Sequence, residues 1–426
     1  MTERVGRYRW VICGLLFAAT AINYIDRQMI GVLKPVLQAD LGWSEAQYAD
    51  IVFWFQCAYA IGFLGIGRLI DAIGARWGYA IAFTFWTIAH MAHGLVATVG
   101  QFGLVRFALG IGESGNFPAG LKAVAEWFPQ RERALAVGIF NAGANVGAIV
   151  TPLLVPAIAI GWGWRAAFVA TGLFSFVWLA AWLILYRRPE EHGSVTAGEL
   201  ALIRSDPVQP AGFLPWRRLF AVRETWAYAV PKFLTDPIWW MFLFWLPDFL
   251  GKRYGLDLKS FGPPLVVIYV MSDFGSVIGG WASSRLIRRG YSANAARKLT
   301  MLGCALVVLP IVTVQYIDSL WIAVLLIGLA TAGHQAFSAN LLTLPSDLFP
   351  RTAVGSVVGI GGTCGAIGGM LIAKFVGYVL GISNSYAPIF AVAGGAYLLA
   401  LAAIHLISPR LAPVARGFDP LPETGR

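Results

Sequence analysis

Two acidic and two basic side chains sit well inside long apolar runs in the first half of the 426-residue chain. Asp26 and Arg27 lie in Asn23-Tyr24-Ile25-Asp26-Arg27-Gln28, and Arg106 and Glu113 follow further on. A charge in a bilayer core costs about 2.5–3.5 kcal/mol on insertion scales, so such groups face a cavity, a partner or water. Left unpaired, the four would cost on the order of 10–14 kcal/mol. They must neutralise one another, meet water or change protonation. Arg106 and Glu113 are seven residues apart, close to two helical turns, and share one face, which Gly110 leaves open. Arg27 follows Asp26 directly and points about 100° away, so one can face a cavity while the other reaches a neighbouring helix. A guanidinium in a dry site receives a carboxylate through its planar fork. A carboxyl group held out of water can exchange a proton near neutral pH. Together these parts suit an organic-anion carrier driven by protons. The plainer reading is a structural ion-pair network, but two such clusters on different helices exceed what packing requires.

The second half offers further candidates. Lys232, Thr235, Asp236, Pro237, Trp239 and Trp240 lie between Pro231 and Pro247. Lys232 and Asp236 are one turn apart and can pair. The prolines interrupt the hydrogen-bond ladder, as in discontinuous transport helices. Trp239 could stack on a sugar face, although tryptophans also form interfacial belts. Gln335 and Ser338, beside His334, Asn340 and Thr343, and the pair Asn141 and Asn145 are candidates for binding hydroxyls. The spacing leaves His334 open between proton relay and buried structural histidine, and Asp273 and Lys374 without a role.

Other chemistries are excluded. Gly110-Ile111-Gly112-Glu113-Ser114-Gly115 matches a dinucleotide fingerprint, but it lies within an apolar helix rather than after a strand. There, small residues serve close packing. His90 and His93 do not form the H-E-x-x-H pattern, and no phosphate-binding loop is present. Cys13, Cys57, Cys304 and Cys364 lie far apart in apolar stretches without metal-ligand spacing. No metal, cofactor or nucleic-acid partner is expected.

Membrane helices must position these groups. The chain is 58% hydrophobic and only 13% charged, against about 45–50% and about 25% for soluble domains. Spanning helices need about 20 mainly apolar residues, and twelve runs qualify. The first six are near 8–33, 47–69, 78–98, 101–121, 134–158 and 164–186. The second six are near 227–250, 263–286, 298–315, 320–346, 353–380 and 385–407. The run after Arg4, Arg7 and Arg9 is too long for a cleaved signal and reads as the first span.

Of the 32 Lys and Arg residues, 23 fall on one side of this pattern. Only Lys34, Arg165, Lys252, Arg253 and Lys259 fall on the other. The positive-inside rule then makes both termini cytoplasmic. The expected architecture is an all-α integral membrane protein of twelve transmembrane helices in two pseudo-symmetric six-helix halves. The N-terminal half is 1–186, a cytoplasmic linker is 187–226, the C-terminal half is 227–408 and a cytoplasmic tail is 409–426. Thr196 and Glu199 have capping-box spacing, so a short helix should start within the linker. An internal repeat supports the halves. Gly67-x3-Asp71-x2-Gly74-x-Arg76 follows the second run, and Gly280 to Gly290, with Ser284 and Arg285, follows the eighth.

The first copy of that repeat resembles the loop signature of the major facilitator superfamily. Further stretches resemble its anion:cation symporter family, in the hexuronate-transporter-like branch. These are Asn23 to Arg27, Pro118 to Lys122, Glu126 to Pro129, Phe233 to Pro237, Trp245 to Pro247, His334-Gln335 and Ser346-Asp347. The resemblance implies the major facilitator fold and symport of an acidic sugar or similar anion with protons in a bacterial inner membrane. It implies that Arg27 binds the substrate carboxylate and Tyr24 lines the site. Asp26 and Glu113, with Arg106, are the expected proton-coupling set. Asn23, Asn141, Asn145, Trp239, Gln335 and Ser338 complete the expected substrate site. Asp71 and Arg76 would form a cytoplasmic lock. The second copy has Ser284 where an acid often stands. The chain is expected to work as a monomer in the lipid bilayer. Other organic anions (aldonates, aldarates, aromatic acids), sodium coupling, and a non-transporting membrane sensor are the alternatives.

Overall fold

The computed structural model describes residues 6–205, 216–349, 351–412 and 414. Arg4, Pro207, Pro210, Pro215, Arg416 and Arg426 lie outside them, as do the side chains of Arg68 and Asp71. The described residues are overwhelmingly helical. Helices α1 Tyr8–Leu41, α2 Glu45–Ala92, α3 Val99–Glu113, α4 Asn116–Trp127 and α5 Gln130–Leu185 come first. Short α6 Ala197–Ile203 and α7 Trp216–Phe220 lead to α8 Arg223–Tyr254, α9 Gly262–Arg288 and α10 Ala293–Val308. After α11 Leu320–Leu341 and α12 Leu344–Leu348, the chain ends with α13 Arg351–Ser383 and α14 Ala387–Ile407. Among the described residues, seven helical segments are long and apolar enough to cross a membrane.

Local sequence explains where these helices start and break. Ser44 and Gln47 form a capping box at α2, and Thr98 and Gln101 form one at α3. The helical run of α2 turns at Gly74 (φ 84°, ψ 164°) and that of α5 at Gly163 (φ 83°, ψ 161°). Only glycine occupies that backbone region without strain. The run expected at 101–121 is divided after Glu113, because Pro118 cannot donate to the Ser114 carbonyl. Pro310 and Pro345 likewise end α10 in a 3-10 stretch, Leu309–Tyr316, and separate α12 from α11.

The chain clusters into two compact units, Met1–Val208 with Leu243–Val266, and Gln209–Phe242 with Val267–Arg426. In the first unit α5 rides closely on α1. A Cβ on Gly143 would lie 2.2 Å from the Phe17 carbonyl oxygen, and one on Gly147 2.5 Å from that of Ala21. Small residues permit this approach between membrane helices. The segment from Leu243 joins this unit through charge. Lys34 Nζ lies 2.7 Å from Glu45 and 2.9 Å from Asp248, and Lys252 Nζ 2.6 Å and 3.1 Å from the same two acids.

The short linker helix forms where the spacing of Thr196 and Glu199 placed it. Thr196 Oγ1 accepts the Glu199 N–H at 3.2 Å. Glu199 does not complete the reciprocal half of the box. Its buried carboxylate instead accepts the Tyr8 and Arg9 N–H groups and pairs with the Arg9 guanidinium at 3.0 Å. A carboxylate there satisfies orphan donors and the positive end of the α1 dipole. The second unit uses the same small-residue packing, with Gly275 and Gly279 of α9 against Ala332 and Ala336 of α11.

Candidate functional site

In the first unit, α1 and α3 bring together the charged residues of the apolar runs. Arg27 is 1% exposed, and its Nε donates to Glu113 Oε2 at 2.7 Å. Its Nη2 donates to Asn23 Oδ1 at 2.9 Å. The guanidinium carbon lies 4.9 Å from the Tyr24 ring centre, 4.8 Å from Tyr59 and 5.6 Å from Phe55. Aromatic faces at that range hold a cation without neutralising it. The guanidinium is thus aimed by one carboxylate, one amide and three rings.

Arg106, also buried, donates from Nη2 to the Arg27 backbone carbonyl at 3.2 Å and lies 4.6 Å over the Phe55 ring. Its Nε and Nη1 have no protein partner, and neither does Glu113 Oε1. Asp26 is fully buried, and both its oxygens lack a hydrogen bond of normal geometry. Its one ion-pair neighbour among the described residues is His90 Nε2, 3.3 Å away on α2. The divergence of adjacent residues therefore sends Arg27 to α3 and Asp26 to α2. Buried orphan atoms are expensive unless a ligand or water meets them. A cluster of them around two guanidinium groups has the chemistry of a receptor for a carboxylate and hydroxyls.

Close packing holds this geometry. A Cβ on Gly112 would lie 2.8 Å from the Trp86 backbone nitrogen, and one on Gly110 2.5 Å from the Phe55 carbonyl oxygen. Gly112→Val should lower the stability of the purified protein by about 1–3 kcal/mol, read as a drop in melting temperature in detergent. Gly100→Ala meets open space and should stay within about 0.5 kcal/mol of the parent. Equal melting of the two variants would refute this account of the packing.

The other expected site residues belong to other elements. Asn141 is exposed and Asn145 half-buried on α5. Each lies about 200° around the helix from the glycine two residues further on, Gly143 or Gly147, and those glycines meet α1. Arg76 Nη2 donates to the Leu183 carbonyl at 2.7 Å, tying the segment after Gly74 to the end of α5. Trp239, Gln335 and Ser338 belong to the second unit. Trp239 stacks on His334 with centroids 5.3 Å apart and planes 6° from parallel, and His334 Nδ1 shares a hydrogen with Tyr397 OH at 2.7 Å. Lys232 and Asp236 pair across one turn at 2.5 Å. Gln335 and Ser338 are half-buried on α11, and Lys374 is exposed on α13.

Sequence reasoning passed over His90, Tyr59 and Phe55. A signal for His90 existed. Trp86, His90 and His93 repeat at helical spacing within an apolar run, and all three are buried.

Comparison with known proteins gives a consistent picture. The family model described as Major Facilitator Superfamily matches residues 16–373. The hexuronate transporter of Escherichia coli (strain K12) is 32% identical over 398 residues, covering 92% of this chain and 91% of its own length. The galacturonate transporter of Dickeya chrysanthemi is 32% identical over 71% of this chain and 90% of its own. Among solved structures, a bacterial homologue of the human lysosomal transporter Spinster, inward-facing and occupied, superposes with a TM-score of 0.78. It is 18% identical and covers 95% of this chain and 98% of its own, a likeness of fold alone.

Proposed function

The chain belongs to the major facilitator superfamily, and from that membership we propose that it is a secondary active transporter carrying a hexuronate, such as glucuronate or galacturonate, together with protons by alternating access. One arrangement above all supports this reading. Arg27 is buried on Glu113 at 2.7 Å, beside an Asp26 carboxylate whose oxygens have no hydrogen bond of normal geometry. A substrate carboxylate entering such a site competes with Glu113 for the guanidinium, and a proton on Glu113 releases Arg27 to it. Substrate binding and proton uptake then favour one another. Tyr24 and Asn23 flank the bound carboxylate, and Arg106 holds the net charge of the pocket in balance. Asn141, Asn145, Trp239, Gln335 and Ser338 complete the proposed contacts to hydroxyls and ring. Asp71 and Arg76 are the proposed cytoplasmic lock.

The substrate class is supported by relatives named for hexuronate and galacturonate. Twelve spans divided as 1–186 and 227–408, with a cytoplasmic linker and tail, are the proposed topology. The lysine and arginine distribution supports cytoplasmic termini in a bacterial inner membrane. We take the working unit to be a monomer.

The test uses purified protein in liposomes with an imposed inward proton gradient. Labelled glucuronate or galacturonate should accumulate above its external concentration, and a protonophore should abolish the accumulation. Uptake indifferent to the protonophore would remove proton coupling. No uptake of either sugar would remove the hexuronate reading, and aldonates, aldarates and aromatic acids would be assayed next.

A further inference from the structure

His90 lies on α2 at 0% exposure, between Asp26 of α1 and Thr171 of α5. Its hydrogen bonds fix its tautomer. Thr171 Oγ1 donates its own proton to the Ala167 carbonyl at 2.8 Å. Its lone pair is therefore free to accept, and it stands 2.8 Å from His90 Nε2. Nε2 accordingly carries the hydrogen, with Asp26 Oδ1 3.3 Å away on the same side of the ring. The opposite nitrogen, Nδ1, is bare, buried and without a partner. An imidazole with one N–H beside a carboxylate and one open nitrogen can take a proton on one face and release another from the opposite face.

Its surroundings fit this use. The Arg106 guanidinium of α3 acts electrostatically on both His90 and His93. Glu113 and the Trp86 indole face Asp26 from α3 and α2. Phe168 of α5 covers the His90 ring at 5.3 Å between centroids. His93, one turn further along α2, has its ring centre 6.3 Å from that of His90. It donates from Nδ1 to the Ala89 and His90 carbonyls at 2.9 and 3.1 Å, and its Nε2 is bare and unpartnered. Two open imidazole nitrogens thus follow one another along α2 from the buried carboxylate.

We propose that His90 passes the coupled proton to and from Asp26. A proton arriving at Nδ1 forms the Nδ1–H bond, the Nε2–H bond breaks, and an O–H bond forms on Asp26. One proton enters the ring and one leaves it, so the ring ends neutral as the other tautomer. The return step reverses these bonds. No oxidant, reductant or cofactor takes part. The inference rests on the proton-coupled reading above and adds to it the side chain through which Asp26 is loaded.

His90→Gln tests it, because the amide can keep the bond to Thr171 and stand beside Asp26 but cannot relay a proton. The variant and the parent are compared in the same liposomes by galacturonate counterflow, by gradient-driven accumulation and by an internal pH indicator. The parent must first show protonophore-sensitive accumulation and internal acidification, whose failure would refute the coupling reading itself. The expected result for His90→Gln is counterflow within about threefold of the parent, with accumulation and galacturonate-driven acidification down by roughly tenfold or more. Accumulation and acidification equal to the parent would reduce His90 to a positioning hydrogen bond and overturn the proposal. Equal loss of counterflow and accumulation would overturn it as well, by placing His90 in substrate binding or stability.

Discussion

Arg27→Ala should weaken galacturonate binding by about a hundredfold, on the order of 3 kcal/mol, and should also destabilise the protein. The two effects have separate causes. Binding falls because a charge-assisted pair with the substrate carboxylate is lost in a site shielded from water. Stability falls because Glu113, paired at 2.7 Å and itself fully buried, is left as a lone charge. Breaking a buried pair from one side costs about 3–5 kcal/mol. The double variant Arg27→Ala with Glu113→Gln separates them, since it removes both charges. Its melting temperature should recover most of the loss while binding stays weak. Arg27→Lys should not rescue affinity either. A single ammonium cannot serve Glu113 and Asn23 in the geometry of Nε and Nη2. Titration calorimetry and thermal melting of the three proteins would decide. Parental affinity in Arg27→Ala would end the proposed role of Arg27.

The charged quartet was legible in the sequence because a membrane makes charges costly wherever they stand. Its wiring was only half legible. Helical geometry sends Asp26 and Arg27 in different directions, but it does not name the helices that receive them. The spacing that puts Arg106 and Glu113 on one face says nothing of Arg27 taking Glu113, nor of Arg106 turning to a backbone carbonyl. Those are tertiary choices among buried partners. Glu199 makes the same point. Its capping-box spacing correctly marks a helix start, yet its carboxylate caps α1 some 190 residues away in sequence. Asn141 and Asn145 show another limit: their spacing puts them one turn apart on α5, but does not say which side of that helix the glycines Gly143 and Gly147 seat on α1. His90 was hidden because a buried histidine gains meaning only from its neighbours.

Glu113→Gln should leave exchange intact and abolish uphill uptake. Arg27 uses its Nε on Glu113 and its Nη2 on Asn23, so an arriving carboxylate has to displace or share the Glu113 position. Displacing an ionised Glu113 would strand it in a site where its second oxygen already has no partner. Protonated, the same group leaves the guanidinium at far lower cost, so binding draws a proton in. Linkage then sets the sign. If binding requires Glu113 to be protonated, affinity falls as pH rises, by up to about tenfold per pH unit. Gln imitates the protonated acid permanently. The variant should bind galacturonate with a flat profile from about pH 6 to about pH 8, as tightly as the parent does once its Glu113 is protonated. Counterflow needs only binding and alternation and should persist, whereas an imposed proton gradient should no longer raise the internal concentration above the external one. The required measurements are affinity across that pH range and the steady-state concentration ratio in liposomes. A variant that keeps both the pH slope and the accumulation would show that the proton is carried without Glu113, with Asp26 as the one acceptor left of the proposed pair.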